Sequence, residues 1–300
     1  MTTKNTVKVT VVVPCFNRAD TVEEAIQSVL DQDWKNLEVI TVDDQSTDAT
    51  LDVVQSIEDP RLRVVQNTDG SGVSSARNLG ITLAALDAEW IAFQDSDDVW
   101  LPGKLSAQMT RLLDRPDYVA SFCGMEVKAD TDPNTPVHKR YPDPAITPLS
   151  GDILPSLVLG SYLSTQMLVI RRDVLDRLAG FDEDLQALVD WELMLRVAQE
   201  GPVDFVDENL VVQRMSDNSI TRSSRKRVSA QQHILSKHRA LLVRYPDAHA
   251  HHNHRIAGAL RAFQDYKAAL PFAQEAARKK PGNLKYLANF LYLQMRSFAN

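Results

Sequence analysis

The stretch Phe93-Gln94-Asp95-Ser96-Asp97-Asp98-Val99-Trp100 ends the apolar run 89–93 and lies just before Pro102-Gly103. The apolar run is typical of a buried strand, and the Pro-Gly pair soon ends the segment. Three carboxylates within four residues repel one another, and a divalent cation removes that repulsion. Hard oxygen ligands are the ones that Mg²⁺ and Mn²⁺ prefer. The stretch therefore indicates a metal site at a strand end, with a solvated acidic turn as the alternative.

Composition limits the class of protein. Three hundred residues suffice for one large domain with an appendage or for two modest domains, and 44% hydrophobic content can fill a sizeable core. A formal charge of −7 disfavours a nucleic-acid polymer as partner. Cys15 and Cys123 imply neither a disulfide framework nor a cysteine zinc site. The polar start of the chain and the lack of an apolar run of ~20 residues predict a soluble, cytoplasmic protein.

Strand-like and helical segments alternate over the first hundred residues. Strands are predicted at 7–13, 37–42 and 62–65 and directly before Asp95. Helix starts are predicted at Asp20, in a capping box with Glu23, and at Ser74 or Ser75. The helix after Ser75 is expected to bury Ala76, Leu79, Leu83 and Leu86. This alternation predicts an α/β fold, built from βαβ units with a mostly parallel sheet and helices on both faces.

Polar residues follow each predicted strand at its carboxyl end. They are Asn17 and Arg18, Asp43 and Asp44, the segment 69–71 and the segment 95–98. In an open α/β sheet these ends lie along one edge, where ligands bind, so the four breaks predict one pocket. One of Asp43 and Asp44 could instead form an Asx turn. Neither a dinucleotide-binding glycine motif nor a P-loop is present.

Four segments, in this order and at these spacings, resemble the inverting family-2 glycosyltransferases with the GT-A fold. They are Val-Val-Val-Pro-Cys-Phe-Asn-Arg (11–18), Thr-Val-Asp-Asp-Gln-Ser-Thr-Asp (41–48), Ser-Ser-Ala-Arg-Asn-Leu-Gly (74–80) and Phe-Gln-Asp-Ser-Asp-Asp-Val-Trp-Leu-Pro (93–102). The resemblance extends from residue 7 to about residue 220. It implies a nucleotide-sugar donor, usually a UDP-sugar, and a divalent metal ion, Mn²⁺ or Mg²⁺.

The resemblance also assigns roles on the donor side. Asp97 matches the direct metal ligand, and Asp95 matches the residue near the metal, ribose and diphosphate. Asp44 matches the uracil contact. The remaining predicted donor-binding residues are Pro14 and Phe16, which border the base, and Asn17, Arg77 and Ser96. For Arg77, bracing of the sheet edge is the alternative.

The second part of the predicted domain, 104–221, is implied to be the acceptor side, after a nucleotide-sugar-binding half, 1–103. Val189-Asp190-Trp191-Glu192 resembles the family's acidic base motif, which makes Asp190 the predicted catalytic base. The alternative is a structural role for Asp190, because the helix dipole favours a negative charge in the first turn. The Q-x-x-R-W motif of processive members is missing, and Gln213-Arg214-Met215 lies in that neighbourhood. A long-chain polymerase is therefore disfavoured.

From residue 222 the sequence changes character, which predicts a separate helical segment, 222–300. Arg222, Arg225, Lys226 and Arg227 begin a basic helical stretch, expected to be a solvated face or a contact with lipid-phosphate acceptors or an anionic membrane. Residues 257–281 resemble one tetratricopeptide-type hairpin. One such unit cannot bury its own face, so it should pack on the catalytic domain, a second copy or a protein partner. Adventitious metal affinity is the most expected of His249, His251, His252 and His254.

The sequence thus predicts a metal-dependent, inverting, non-processive glycosyltransferase of polysaccharide biosynthesis. It would move a sugar from a nucleotide-diphosphate donor to a hydroxyl of a glycan or lipid-linked glycan, in the cytoplasm or peripherally at the inner membrane face. Two alternatives remain open. One is a nucleotide-sugar-binding regulatory or scaffold protein that acts through its helical tail, and the other is a metal-dependent nucleotidyltransferase.

Overall fold

The computed structural model describes residues 7–215 and 225–298, which form two compact units. Within these residues the first unit comprises 7–157, 161–184 and 189–215, and the second comprises 158–160, 185–188 and 225–298. The second unit therefore includes two short segments that precede the predicted domain boundary at residue 221. Arg222, the first residue of the predicted basic stretch, lies outside the described residues.

One sheet forms the centre of the first unit. The described residues contribute nine strands to it: β1 (Lys8–Cys15), β2 (Leu37–Asp43), β3 (Leu62–Gln66), β4 (Ala88–Phe93), β5 (Val99–Trp100), β6 (Ala120–Lys128), β7 (Lys139–Tyr141), β8 (Leu168–Arg171) and β9 (Val203–Arg214). Their order is β3-β2-β1-β4-β8-β6-β9-β5, and β7 pairs with β6. Strands β1 to β4 are mutually parallel, and β8 is antiparallel to both of its neighbours. The predicted α/β class is confirmed.

Seven helices of the first unit accompany the sheet in the described residues: α1 (Val22–Leu30), α2 (Thr50–Gln55), α3 (Val73–Leu83), α4 (Lys104–Leu113), α5 (Leu154–Leu157), α6 (Arg172–Leu178) and α7 (Val189–Glu200). On α1 the buried residues recur at helical spacing; they are Val22, Ala25, Ile26, Val29 and Leu30. On α3, Ala76, Leu79 and Leu83 pack against Ile40 and Val42 of β2. Helical periodicity therefore identified the buried faces of these two helices.

Three local predictions were wrong. Helix α1 follows Thr21 and has no side-chain cap, so the capping box at Asp20 does not form. Helix α3 follows Gly72, so Ser74 and Ser75 lie inside its first turn rather than at its N-cap. Gly72 has a φ of +97°, a left-handed value that glycine adopts without strain. Because α3 ends at Leu83, Leu86 lies beyond the helix and is 98% exposed.

The second unit is helical. It contains α8 (Arg225–Lys237), α9 (Arg239–Val243), α10 (Pro246–Ala262), α11 (Tyr266–Lys279) and α12 (Leu284–Phe298). Small residues on α10 and α11, including Ala257, Ala269 and Ala273, are fully buried in a shared cluster with Leu293 of α12. The predicted helical hairpin is thus present, and it begins at Pro246 rather than at residue 257. Across the described residues, no helix has the length and apolar content needed to cross a membrane.

One of the four clustered histidines, His252, is part of this core. Its Nε2 lies 2.8 Å from the carbonyl oxygen of Val158, and its Nδ1 lies 3.2 Å from the side-chain amide of Gln231. The carbonyl can only accept, so Nε2 carries the proton and Nδ1 accepts from the amide. Burial lowers the pKa of His252 to about 4, which keeps the imidazole neutral at pH 7. This histidine therefore has a structural role.

Candidate active site

The carboxyl ends of the first four strands meet at one edge of the sheet, as predicted. The backbone N–H of Asp44 donates to the carbonyl of Cys15 at 2.8 Å, and that of Asn67 donates to the carbonyl of Asp43 at 2.8 Å. On the other side of β1, the N–H of Gln94 donates to the carbonyl of Val12 at 3.0 Å. The residues directly after β2, β3 and β4 therefore each donate a backbone hydrogen bond to the neighbouring strand, which holds these strand ends together.

Asp44 lies at the part of this edge where the base is predicted to bind. Its carboxylate accepts from Asn67 Nδ2 at 2.7 Å and from the N–H of Gly72 at 2.6 Å. Its neighbour Asp43 is buried and accepts from the N–H of Ser46, so Asp43 is the residue that stabilises the turn. The two adjacent carboxylates therefore differ: one holds its own loop, and the other faces the loop after β3.

Asn17, Pro14 and Phe16 lie at the end of β1. Asn17 has a φ of +50°, and its Oδ1 accepts from the N–H of Thr47 at 2.8 Å. Pro14 is buried in the strand, whereas the ring of Phe16 is 51% exposed. Asn17 thus shapes the loop after β2, and Phe16 presents an aromatic face at the edge on which a base could stack.

Asp95 is paired with Arg77 of α3. The guanidinium Nη2 donates to Asp95 Oδ1 at 2.6 Å, and Arg77 is itself 4% exposed. Its charged group also lies over the ring of Phe181, 5.3 Å from the ring centroid. The buried Nε of Arg77 has no hydrogen-bond partner within the described part of the chain. Arg77 therefore braces the acidic turn and leaves one buried donor unsatisfied.

Asp97 faces a second arginine, Arg18, which was predicted to lie at the pocket edge but was given no role. Arg18 Nε lies 3.3 Å from Asp97 Oδ2, and both side chains are partly exposed. Burial and the neighbouring Asp95 raise the pKa of Asp97, and Arg18 opposes that rise. A signal for Arg18 existed, because it directly follows Asn17 in a break that was already assigned to the site edge.

Asp98 differs from the other two carboxylates, although the sequence analysis treated all three as one metal-binding cluster. It is 2% exposed, and its oxygens accept from Gln166 Nε2 at 2.6 Å and from the N–H of Arg214 at 3.0 Å. The carbonyl of Asp98 accepts from Gln94 Nε2 at 2.6 Å. Asp98 therefore anchors the acidic turn to the interior and to the end of β9. Ser96 is also buried, and its carbonyl accepts from Thr21 Oγ1.

Asp95 and Asp97, the two carboxylates of the turn other than Asp98, suit a divalent ion that binds together with a diphosphate. In residues 7–215 and 225–298, no group of three or more His, Cys, Asp or Glu side chains could hold a metal ion by itself. Mg²⁺ usually binds through one or two carboxylates plus substrate phosphates rather than in an all-protein cage. Asp97 and Asp95 provide hard oxygen atoms of this kind, and Arg18 and Arg77 are the cations that they contact in this structure.

Asp190 lies in the first turn of α7. It is half-buried, and its Oδ1 accepts from the N–H of Trp191 at 2.7 Å. An acidic residue at this position is stabilised by the helix dipole, which is compatible with catalytic use. Glu192 on the same helix is fully buried and forms a bidentate ion pair with Arg196, so its carboxylate is committed to the fold.

A turn at 178–183 connects α7 to α3. Arg196 of α7 donates to the carbonyls of Leu178 at 2.7 Å and Gly180 at 2.8 Å. Asn78 of α3, next to Arg77, donates to the carbonyl of Phe181 at 2.9 Å and accepts from its N–H at 2.8 Å. The helix that carries Asp190 and the helix that braces Asp95 therefore hold the same turn. Neither Asn78 nor Arg196 was predicted from the sequence to contribute to the site.

A protein with this parallel sheet edge and paired acidic turn has the architecture of the GT-A nucleotide-diphospho-sugar transferases. Residues 10–179 match the model of glycosyl transferase family 2. Because that match spans more than half of the chain, this chain belongs to glycosyl transferase family 2. The resemblance seen in the four sequence segments is confirmed.

Curated relatives show how far the similarity extends. The Escherichia coli UDP-Glc:alpha-D-GlcNAc-diphosphoundecaprenol beta-1,3-glucosyltransferase WfaP is 38% identical over 101 residues, 34% of this chain and 39% of WfaP. The Rhizobium meliloti succinoglycan biosynthesis protein ExoO is 44% identical over 103 residues, 34% of this chain and 29% of ExoO. The chain thus spans less than half of the length of these two relatives. Escherichia coli WcaA, named for colanic acid biosynthesis, is 30% identical over 253 residues, 79% of this chain and 83% of WcaA.

Solved structures share the fold. Staphylococcus aureus TarS 1–349 in complex with UDP-GlcNAc superimposes with a TM-score of 0.66 at 19% identity, covering 96% of this chain and 89% of that one. The Pyrobaculum calidifontis mannosyltransferase PcManGT, in complex with GDP-Man and Mn²⁺, gives a TM-score of 0.61 at 22% identity, covering 99% and 88%. At this level of identity the similarity establishes the fold.

Proposed function

We propose that this protein transfers a sugar from a nucleoside diphosphate donor, a UDP-sugar, to an acceptor hydroxyl, with inversion and with a divalent metal ion. The observation that carries the proposal is the pair of carboxylates Asp95 and Asp97, each facing an arginine at the strand-end edge of a family-2 chain. The exposed ring of Phe16 and the half-buried carboxylate of Asp44 lie at the same edge. They provide a stacking surface and a hydrogen-bond acceptor for a base.

In this reaction the acceptor oxygen attacks the anomeric carbon as the bond from that carbon to the diphosphate oxygen breaks. The acceptor proton passes to Asp190, and the nucleoside diphosphate leaves with the bonding electron pair. A bound divalent ion would act as a Lewis acid on the diphosphate, held by Asp97 with Asp95. Arg77 holds Asp95 in place through the hydrogen bond from its Nη2.

The base must act on the face of the sugar opposite the leaving group, because inversion is a single in-line displacement. Asp95 and Asp97 are on the leaving-group side. Glu192 is unavailable because Arg196 binds it, which supports Asp190 as the proton acceptor. A positioned carboxylate base typically contributes ~10²–10⁴ in rate.

The proposed acceptor is a lipid-linked glycan. WfaP is named for a diphosphoundecaprenol-linked acceptor and a UDP-Glc donor, and the TarS complex contains UDP-GlcNAc. One addition per acceptor is proposed, since the processive motif is missing near Gln213. Placement of the reaction in the cytoplasm, at the inner membrane face, remains a prediction.

Two measurements test this function. A thermal-shift panel of nucleotide sugars with and without Mn²⁺ should reveal a UDP-sugar that raises the melting temperature only with the metal, because a ligand of the native state stabilises it. Release of UDP from that donor, followed with and without glycan acceptors, then measures turnover. Binding without any turnover would favour the regulatory alternative, and release of pyrophosphate from a nucleoside triphosphate would favour a nucleotidyltransferase. Either result would overturn the proposal.

A further inference from the structure

The helical unit carries a charge opposite to that of the whole chain. Residues 225–298 contain fourteen Lys or Arg and three Asp or Glu, although the full chain has a formal charge of −7. Helix α12 itself has no acidic residue. A strong charge asymmetry between parts of one chain is a general indication of a polyanionic or membrane partner.

The outer face of α12 is apolar and exposed. We define the α12 stripe as Leu284, Leu287, Ala288, Leu291 and Met295, which recur at helical spacing. Leu284 is 79% exposed, Leu291 48% and Met295 75%. The helix packs on its own unit through other residues, since Tyr286, Asn289 and Leu293 are buried. The stripe is therefore a second apolar face, not the one that holds α12 in place.

Cationic side chains border the stripe. A groove of about 350 Å³ between α10 and α12 is lined by Arg261, Lys285, Tyr292 and Ala288, among others, and Ala288 belongs to the stripe. Arg261 is oriented by a 2.9 Å hydrogen bond from its Nη1 to Asn289 Oδ1 and lies 5.5 Å from the centroid of the Tyr292 ring. An apolar surface thus adjoins two cations and a tyrosine whose hydroxyl can face water.

We propose that the α12 stripe, together with Arg261 and Lys285, binds the surface of an anionic phospholipid bilayer. A helix with one apolar face and basic flanks lies in the interfacial plane, where its apolar side chains enter the acyl boundary and its cations contact lipid phosphates. Charge decides against a second copy as the occupant, because a two-fold contact through this face would bring Arg261 and Lys285 towards their own copies. The binding requires neither donor nor turnover, so it can fail independently of the proposed transferase activity.

The test is co-sedimentation of the full chain with vesicles. Vesicles of phosphatidylglycerol and phosphatidylcholine should bind the protein, vesicles of phosphatidylcholine alone should not, and added salt should weaken binding because exposed charges are screened. The variant Leu291→Gln/Met295→Gln should lower vesicle affinity by ~10-fold or more, since two apolar side chains lose their burial. The control is Leu86→Gln, which removes a 98% exposed leucine from the first unit and should bind as wild type.

A matched pair of lysine variants tests whether vesicle binding depends on the cations that line the groove. Lys285→Gln should weaken binding more than Lys267→Gln, which removes an exposed lysine of α11 that does not line the groove. Unchanged melting temperatures show that the variants fold. Equal binding to neutral and anionic vesicles, or wild-type binding by the stripe variant, would overturn the proposal. The proposal would also be overturned if light scattering showed a wild-type dimer that the stripe variant dissociates, while the wild type did not bind vesicles.

Discussion

Asn78 and Phe181, 103 positions apart, form a reciprocal hydrogen-bond pair in which the asparagine side chain donates to the carbonyl of Phe181 and accepts from its N–H. Asn78 Nδ2 also donates to Glu183 at 2.8 Å. The ring of Phe181 meets Phe93 edge-on, at 5.1 Å between centroids, directly before the acidic turn. One turn therefore contacts the end of β4 and the helix that carries Asp190.

Gly180 permits this close contact. Its φ is +66°, and a Cβ there would lie 2.3 Å from Asn78 Oδ1. We expect Gly180→Ala to lower the free energy of unfolding by about 1–3 kcal/mol, since the backbone strain and the clash add. Urea unfolding measures this, with Gly282→Ala as control, where a Cβ meets nothing within 4 Å. Equal stability of the two variants would show that the turn adjusts freely.

Removal of the charge at Asp97 should abolish the metal dependence of UDP binding. Asp97→Asn keeps the shape of the side chain and loses the charge that would offset the ion. Calorimetry with UDP in Mn²⁺ and in EDTA should give different affinities for the wild type and similar, weak affinities for the variant. Asp20→Asn, at an exposed carboxylate before α1, is the control and should behave as wild type. If wild-type UDP affinity is the same in EDTA and in Mn²⁺, Asp97 is not a metal ligand.

Asp190→Asn should separate binding from chemistry. The amide oxygen can still accept from the N–H of Trp191, so α7 should begin normally. Metal-dependent UDP binding should stay near wild type while transfer falls by at least ~10², as expected for an interaction made only in the transition state. The control is Asp184→Asn, at an exposed carboxylate of the preceding loop. Near-normal transfer by folded Asp190→Asn would assign the base to another residue.

Lys104 should make the free energy of unfolding depend on pH in the alkaline range. It is fully buried, with Nζ donating to Gln108 Oε1 at 2.8 Å and lying 3.9 Å from the centroid of the Trp100 ring. Burial lowers its pKa from 10.5 to about 8. Between these values the unfolded chain binds more protons than the native state, so the free energy of unfolding rises with pH.

Relative to Lys104→Met, the wild type should therefore gain about 2 kcal/mol between pH 8 and pH 10. Urea unfolding of both proteins across this range measures the difference, and the variant is the reference for the pH dependence that does not come from Lys104. Parallel pH profiles for the two proteins would mean that the native state keeps Lys104 protonated throughout.

Local sequence determined the strands at the site edge and the polar residues that follow them. Continuous apolar runs, helical periodicity and polar breaks are properties of neighbouring residues, and parallel connections then place successive strand ends on one edge. Asp95, Asp97 and Asp44 could be located in this way. The family resemblance added predicted roles to those positions. The separate segment 189–192 added Asp190, which no periodicity reveals.

Tertiary structure alone separated side chains that look equivalent in sequence. Asp97 and Asp98 are adjacent carboxylates, yet Asp98 is buried because Gln166 and the backbone of Arg214, 68 and 116 positions away, satisfy it. Likewise, apolar residues at helical spacing on α12 form the same sequence pattern whether they face a core or solvent. Which of them is covered depends on neighbours brought by the fold, because burial is a property of three-dimensional packing rather than of the local chain.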